Sequence, residues 1–258
     1  MRYLIAFVIT MLFCTVAQAE IRTTTVEYKH GSAVLEGYLA YDDGIKDKRP
    51  GVLVVHEWWG LTQITKKHAE DLARLGYVAF AVDMYGKGIT TADPKKAAEL
   101  SGAFRNDRKL MFSRAMAGLD VLSSHPLVIP DKIAATGYCF GGTTVIELAR
   151  GHAPVAGVVS FHGSLDTPDP AATKDVKAKV LVLHGAYDPF ASWDQIKIFM
   201  DEMRRSGADW QMFFYGGAMH SFTNPDADSY GIKGIAYNEK ADKRSWQAMK
   251  SFLDELFK

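Results

Sequence analysis

Short apolar runs that alternate with helical stretches constrain the fold of this chain most. These runs cover residues 52–55, 78–82, 133–136, 155–161 and 180–183, with a last strand predicted at 211–215. Because they are apolar almost throughout, they are typical of strands that are covered on both faces, as in a parallel sheet. Residues 23–28 and 33–41 instead alternate around a Gly31 turn, which predicts an opening β-hairpin. The pattern predicts an α/β class with a doubly wound, mostly parallel sheet, helices on both faces and an N-terminal β-hairpin.

Residues 134–145, AATGYCFGGTTV, combine a strand, a tight glycine turn and a helix, with Cys139 at the tip. The spacing Gly-x-Cys-x-Gly is that of a nucleophile elbow, in which cysteine takes the position that serine more often holds. Gly137 and Gly141 would let the strand and the helix approach each other closely. The positive end of the following helix favours a thiolate. The pattern therefore predicts that Cys139 is a nucleophile.

Two further polar residues follow apolar strands, and their order along the chain indicates a catalytic triad. Asp188 comes after the strand at 180–183, and His220 follows the last strand. Nucleophile, acid, histidine is the chain order of α/β-hydrolase triads, and the carboxyl ends of parallel strands meet at one edge of the sheet. We predict that His220 moves the proton and that Asp188 orients the imidazole. Each residue alone is weak evidence, but the ordered set with the elbow predicts an α/β-hydrolase fold.

Acyl transfer also needs donors for the oxyanion. We predict the backbone N–H groups of Phe140, the residue after the nucleophile, and of Trp58, in the loop after the first buried strand. Trp59 and Tyr85 are predicted to line the pocket, although aromatic residues there would equally serve packing. His56 and Glu57 lack the second histidine of a zinc motif, and no Cys/His spacing indicates a structural metal, so no metal or cofactor is expected.

The N-terminus has the composition of a secretory signal. Arg2 precedes an apolar run at residues 4–13, and Ala17-Gln18-Ala19 forms a cleavage site. We predict a signal peptide at 1–19, export to the periplasm, one hydrolase domain at 20–258 and no stable membrane anchor after cleavage. A buried first helix is the alternative. The mature chain would carry one cysteine, Cys139, and so no internal disulfide.

Charge gives no sign of a nucleic-acid partner, because 30 Lys+Arg balance 30 Asp+Glu and no polybasic run occurs. The expected partner is a small-molecule ester or lactone. The polar segment 224–238 is long enough to border the cleft, and whether it acts as a lid stays open, as do the natural substrate and the oligomeric state.

Five motifs carry a resemblance to a known family. They read VVHEWWG at 54–60, DMY at 83–85, GYCFGG at 137–142, HGAYDP at 184–189 and HSF at 220–222. On these motifs the mature chain resembles the dienelactone hydrolase family of cysteine α/β-hydrolases. The resemblance implies that Glu57 contacts the resting thiol. It also implies that Lys87 and Asn224 contact the substrate, in places where the family has two arginines, and so without bidentate recognition of a carboxylate.

A carboxylate beside a thiol disfavours the thiolate. We therefore expect Glu57 to keep the resting Cys139 largely neutral until a substrate displaces it. Alternatively, Glu57 only caps a loop and holds it in place, or pairs with a nearby base.

The function predicted from these residues is hydrolysis of a small ester, lactone or thioester through a Cys-His-Asp triad and an acyl-cysteine intermediate. One alternative is a non-catalytic binding protein on the same fold. Another is a thiol redox protein that uses Cys139, although such a protein would need a resolving cysteine from a partner.

Overall fold

The computed structural model describes residues 20–258, and the signal peptide predicted at 1–19 lies outside the described residues. The strands are β1 (Ile21–His30), β2 (Ala33–Asp42), β3 (Arg49–Val55), β4 (Val78–Val82), β5 (Val128–Tyr138), β6 (Gly157–Phe161), β7 (Lys179–Gly185) and β8 (Trp210–Tyr215). The helices are α1 (Gln63–Arg74), α2 (Pro94–Asn106), α3 (Arg108–Ser123), α4 (Phe140–Arg150), α5 (Trp193–Ser206) and α6 (Glu239–Phe257), with a 3-10 helix at Ala227–Tyr230.

The eight strands form one sheet in the order β1-β2-β4-β3-β5-β6-β7-β8. Strands β3 to β8 are parallel, while β1 and β2 form an antiparallel hairpin whose second strand joins β4. At the carboxyl end of the central strands, Val55 pairs with both Val82 and Gly137. This arrangement confirms the predicted fold class and the opening hairpin.

Helices cover both faces of the sheet, as the apolar strands predicted. On one face, α3, α4 and α5 bury residues such as Leu119, Val145 and Phe199 against the strands. On the other face, α1 and α6 bury Leu72 and Leu253. At roughly 25 cal/mol per Å² of apolar surface, this two-sided burial is the main force that holds the sheet in place.

Local signals set where the helices begin. The Asp93 side chain accepts a hydrogen bond from the Lys95 amide at the start of α2, and Pro94 takes the first helical position. Ser192 and Gln195 form a reciprocal capping box at the start of α5.

The spacing of Ile64, His68, Leu72 and Leu75 predicts the buried stripe of the first helix, and the observed stripe differs from it in part. The residues that α1 buries are Thr65, Ala69, Leu72 and Ala73. The predicted stripe ended on Leu75, which lies beyond the helix and is 42% exposed.

Between residues 20 and 258 no helix has both the length and the apolar character needed to cross a bilayer.

Candidate active site

The carboxyl ends of the strands bring Cys139, Asp188 and His220 together. The Cys139 Sγ lies 3.0 Å from the His220 Nε2, and the His220 Nδ1–H donates to the Asp188 Oδ2 at 2.8 Å. All three residues are more than nine-tenths buried. Cys139 is 81 positions from His220 in the chain and Asp188 is 32 positions from it, so only the fold places them in contact. The arrangement has the connectivity of a nucleophile, a base and an orienting acid.

The turn that carries Cys139 is strained, as an elbow requires. Cys139 has φ 53°, a left-handed conformation that side-chain-bearing residues seldom adopt. A Cβ on Gly137 would lie 2.0 Å from the Gly141 carbonyl oxygen, and a Cβ on Gly141 would lie 2.1 Å from that of Val55. Glycine at these two positions therefore lets α4 approach β3 and β5, and Cys139 lies directly before the first turn of α4.

Charge at the site favours a protonated His220. Burial lowers the pKa of the imidazole, but the Cys139 sulfur and the Asp188 carboxylate outweigh it and raise the pKa of His220 to about 10. The carboxylate is itself fixed, because its second oxygen accepts the Phe190 amide at 2.9 Å. An imidazolium held between a carboxylate and a sulfur stabilises negative charge on that sulfur.

His162 contacts the backbone of Cys139. The Cys139 amide N–H lies 3.1 Å from the His162 Nδ1 and 3.0 Å from the Phe161 carbonyl oxygen. Because Nδ1 accepts this hydrogen bond, Nε2 carries the proton and donates to the Thr223 Oγ1 at 2.8 Å. Burial, followed by the charge of His220, holds the pKa of His162 well below its usual range, so the ring stays neutral. His162 thus links the elbow to the segment that follows His220.

Both predicted oxyanion donors are free to bind a ligand. The amide of Phe140 is the first of α4, and the Trp58 amide lies in the loop after β3. Among residues 20–258, neither amide donates a hydrogen bond to another group. The Trp58 carbonyl oxygen, in contrast, accepts the Tyr85 hydroxyl at 3.0 Å, which fixes the loop. Free N–H groups beside a nucleophile are what an oxyanion requires.

A half-open cavity of about 240 Å³ opens beside the thiol. Its walls come from α2, from the loops after β6 and β7, and from the segment that follows His220. The lining residues are Trp58, Ala98, Ser101, Arg105, Cys139, Gly163, Ser164, Asp188, Phe190, Ala191, His220 and Ile235. The predicted contribution of segment 224–238 to the cleft is therefore seen through Ile235.

Glu57 lies in the same buried region but makes different contacts from those the resemblance implied. Its carboxylate accepts hydrogen bonds from the Asn224 amide at 2.7 Å and the Ser221 hydroxyl at 3.1 Å. In the described part of the chain it makes no hydrogen bond to Cys139. Burial raises the pKa of Glu57, although hydrogen bonds from Asn224 and Ser221 and the charge of His220 oppose this rise. The observed contacts fit the alternative in which Glu57 holds a loop in place.

The structure does not bring the four predicted substrate-binding residues to the cavity wall. Trp59 packs on Tyr230, and the Tyr85 hydroxyl is bound to the Trp58 loop. Asn224 is 1% exposed, and its amide nitrogen donates to Glu57 and to Tyr230.

Lys87 is the clearest departure from these predictions. It lies on the outer surface, where its ammonium group pairs with Glu27 at 2.7 Å and with Glu36 at 3.5 Å. The family resemblance implied that this residue contacts the substrate, whereas the hairpin β1–β2 supplies carboxylates that hold it on the outer surface.

The cation that does line the cavity, Arg105, is not among the residues predicted from the sequence. Arg105 lies in the last turn of α2, and its neighbours in the wall include Ser101 and Ser164. No local motif marks these residues, because α2 looks like any amphipathic surface helix in the sequence. Only the packing of α2 over the strand ends brings them to the site. Within the described residues no group of three or more His, Cys, Asp and Glu side chains could hold a metal ion.

Comparison with protein families and known proteins identifies relatives over nearly the whole described chain. The model of the Dienelactone hydrolase family matches residues 35–257. Protein usf of Aquifex pyrophilus is 27% identical and covers 89% of this chain and 97% of its own length. A protein of Aquifex aeolicus with the provisional name carboxymethylenebutenolidase is 26% identical, over 90% of this chain and 98% of its own.

Solved structures agree with these sequence matches. A dienelactone hydrolase-like promiscuous phosphotriesterase from metagenomic libraries is 41% identical, with a TM-score of 0.90 over 93% of this chain and 100% of the other. Dienelactone hydrolase from Anabaena variabilis is 22% identical, with a TM-score of 0.62 over 89% and 98% of the two chains. The second likeness shows the shared fold alone.

Proposed function

The chain belongs to the dienelactone hydrolase family and is a hydrolase with esterase-like activity, and from that premise we propose that it cleaves small esters, lactones or thioesters through an acyl-Cys139 intermediate. The observation that carries the proposal is the continuous contact from the Cys139 Sγ to the His220 Nε2 at 3.0 Å and from the His220 Nδ1 to Asp188 at 2.8 Å.

In the acylation step, His220 holds the proton of Cys139 while the sulfur attacks the carbonyl carbon of the ester. The carbonyl oxygen takes the negative charge, and the free N–H groups of Trp58 and Phe140 are placed to stabilise it. When the tetrahedral adduct collapses, the C–O bond to the leaving group breaks and His220 gives its proton to the departing oxygen. The acyl group stays on the sulfur.

In the second step, His220 takes a proton from water, and the hydroxyl oxygen attacks the acyl-cysteine carbonyl. The C–S bond breaks, the sulfur regains the proton, and the acid leaves. Asp188 holds the imidazole in one tautomer through both steps, because its Oδ2 accepts the Nδ1–H.

The experiment that tests this proposal measures hydrolysis of a panel of short acyl esters and lactones. We expect wild-type turnover and a loss of at least about 10⁴-fold in kcat for Cys139→Ala, since removal of a triad nucleophile leaves little beyond binding and the oxyanion hole. Full activity in Cys139→Ala, with matched unfolding curves, would refute the proposal.

The two alternatives make different predictions. A binding protein would give no burst of product with an activated ester, whereas the proposed acyl-enzyme gives a burst when deacylation is slow. A thiol redox protein would consume peroxide in a manner that depends on Cys139, without hydrolysing esters.

We propose phosphotriester hydrolysis as a second activity, because the relative named for promiscuous phosphotriester cleavage is 41% identical over 93% of this chain. The Cys139 sulfur would attack phosphorus, and the P–O bond to the aryloxide would break. Water would then attack the phosphorus of this adduct, so that the P–S bond breaks and the thiol is restored. We expect slow hydrolysis of diethyl 4-nitrophenyl phosphate that Cys139→Ala abolishes. Activity that survives this substitution would rule out the shared mechanism.

We also propose that residues 1–19 direct export, on the strength of the cleavage pattern before Glu20. Expression of the full chain in a bacterium with a periplasm should give a mature protein that begins at Glu20. An N-terminus that still carries residues 1–19 would contradict this.

A further inference from the structure

Arg105 is a positive charge without a partner in the wall of the active-site cavity. It lies in the last turn of α2 and lines the same cavity as Cys139 and His220. Its Nε is buried and makes no hydrogen bond, and the whole guanidinium makes no hydrogen bond or ion pair to any residue between 20 and 258. A guanidinium has five N–H donors. The Nε of Arg105 is buried without an acceptor, while the residue as a whole is partly exposed.

The carboxylate of Asp166, whose pKa Arg105 influences, is already bound by other groups. Asp166 accepts the Ser164 hydroxyl at 2.6 Å through one oxygen and the Arg108 guanidinium at 2.9 Å through the other. Burial raises the pKa of Asp166, but Ser164, Arg108 and then Arg105 together lower it, so the carboxylate is charged. Arg105 therefore interacts with this carboxylate electrostatically. Arg108 nevertheless forms the ion pair, and Arg105 is left facing the cavity.

The other charged groups of the cavity do not neutralise Arg105. Asp188 uses one oxygen for His220 and the other for the Phe190 amide. Neighbouring arginines differ clearly from Arg105, since Arg150 binds Glu147 and Glu202, and Arg114 binds the Met84 carbonyl oxygen. Among the described arginines that line this cavity or border it, Arg105 is the one whose donors are left for a ligand.

We propose that Arg105 binds an anionic group of the substrate, so that this chain prefers esters or lactones that carry a negative charge. This inference rests on the proposed function, because it assumes that the substrate occupies the cavity beside Cys139. Arg105 lies on α2, and it is neither of the two residues, Lys87 and Asn224, that the family resemblance assigned to the substrate. A planar guanidinium with free donors suits a carboxylate, which it can bind through two parallel hydrogen bonds.

The test compares two esters that differ in one charge. The probes are the monoester of adipic acid with 4-nitrophenol, which carries a free carboxylate, and the same molecule with that carboxylate methylated. A second pair places the charge on the leaving group, with 4-nitrophenyl butyrate and its 3-carboxy-4-nitrophenyl counterpart. The release of nitrophenolate gives kcat/KM for wild type, Arg105→Gln and Arg105→Lys.

In at least one pair, Arg105→Gln should lower kcat/KM for the charged ester about tenfold to a hundredfold and change that for the neutral ester by less than about twofold. Arg105→Lys should fall between wild type and Arg105→Gln, because a lysine keeps the charge but loses the bidentate geometry. The control is Arg204→Gln, which removes the same charge from an exposed arginine paired with Asp201 and should change neither ester.

Equal losses for charged and neutral esters in both pairs would overturn the proposal and assign Arg105 to the stability of the end of α2. Unchanged rates for both charged esters would overturn it as well. Failure of the proposed function has a different signature, since wild type would then release no more nitrophenolate than Cys139→Ala from any of the four probes.

Discussion

The proposed catalytic trio and the cavity wall that faces it are built in different ways. Cys139, Asp188 and His220 sit at the ends of strands or just beyond them, and hydrogen bonds join each of them to its neighbours. The wall comes from α2 and from loops. Its members include Arg105, whose side chain makes no hydrogen bond to a described residue, and Phe190, which is 49% exposed. A hydrogen-bonded centre fixes the reaction, whereas a wall of free side chains can be adapted to one substrate or another.

The same contrast holds for charge. In the trio the carboxylate, the imidazole and the sulfur compensate one another, and the pKa of His220 rises to about 10 as a result. The wall carries a positive charge, Arg105, that forms no ion pair with any described residue. Changes to the trio should therefore affect all substrates alike, and changes to the wall should affect them selectively.

The largest effect is expected at the orienting acid. Asp188→Asn keeps the shape but can donate to His220 and so favours the wrong tautomer, and we expect kcat to fall about 10³- to 10⁴-fold for every ester. Steady-state rates on the charged and neutral probes measure this. A loss confined to one class of ester would mean that Asp188 belongs functionally to the wall.

A smaller effect on kcat is expected at the hydrogen bond through which His162 links the elbow to the loop after His220. Thr223→Val removes the acceptor of the His162 Nε2–H, and an unsatisfied buried donor costs about 1–3 kcal/mol of unfolding free energy. We expect that loss in urea unfolding, together with a fall in kcat of about tenfold and little change in KM, because the sulfur loses its fixed position.

The matched control is Thr143→Val, since Thr143 is also buried but its hydroxyl has no hydrogen-bond partner among residues 20–258. This variant should keep the stability and kcat of wild type. Equal losses in the two variants would show that the link between His162 and Thr223 contributes nothing of its own.

Glu57 should affect stability in a manner that depends on pH. Burial raises the pKa of Glu57 above 4.5, so its ionised form opposes folding, and this cost is present above the folded pKa and absent below about 4.5. Glu57→Gln should therefore raise the melting temperature at pH 8 relative to wild type, and the difference should shrink as the pH falls toward 4.

A constant difference between Glu57→Gln and wild type across that range would contradict this account. The prediction that Glu57 keeps the thiol neutral is tested on the same two proteins by the rate of thiol alkylation against pH. An unchanged profile would leave Glu57 as an anchor for Ser221 and Asn224 alone.

The smallest effect is expected at Lys87. Lys87→Ala should change kcat/KM by less than about twofold for charged and neutral esters alike, because the ammonium group is bound to Glu27 and Glu36 on the outer surface. A selective loss for charged esters would restore Lys87 to the substrate site and weaken the assignment of Arg105.

Much of this molecule follows from local signals in the sequence. Apolar runs gave the parallel strands, and the Gly-x-Cys-x-Gly spacing located the turn where Cys139 has φ 53°. The order of Cys139, Asp188 and His220 sufficed to place them at one edge, because parallel strands share a direction.

The wall could not be predicted in the same way. Lys87 follows a strand end just as Asp188 does, yet the adjacent hairpin pairs it with surface carboxylates. Arg105 is far from any motif, and only the packing of α2 over the sheet edge turns it toward the cavity. Asn224 has a side chain that binds either a ligand or a buried carboxylate, and the position of Glu57 decides which.

The most direct test of this account is the mass of the intact protein shortly after mixing with excess 4-nitrophenyl butyrate and quenching with acid. We expect one added butyryl group, located on Cys139 by peptide mapping, which forms with the burst of nitrophenolate and decays at the rate of turnover. Turnover without any acyl adduct, or an adduct on another residue that forms and decays at that rate, would contradict the central role of Cys139.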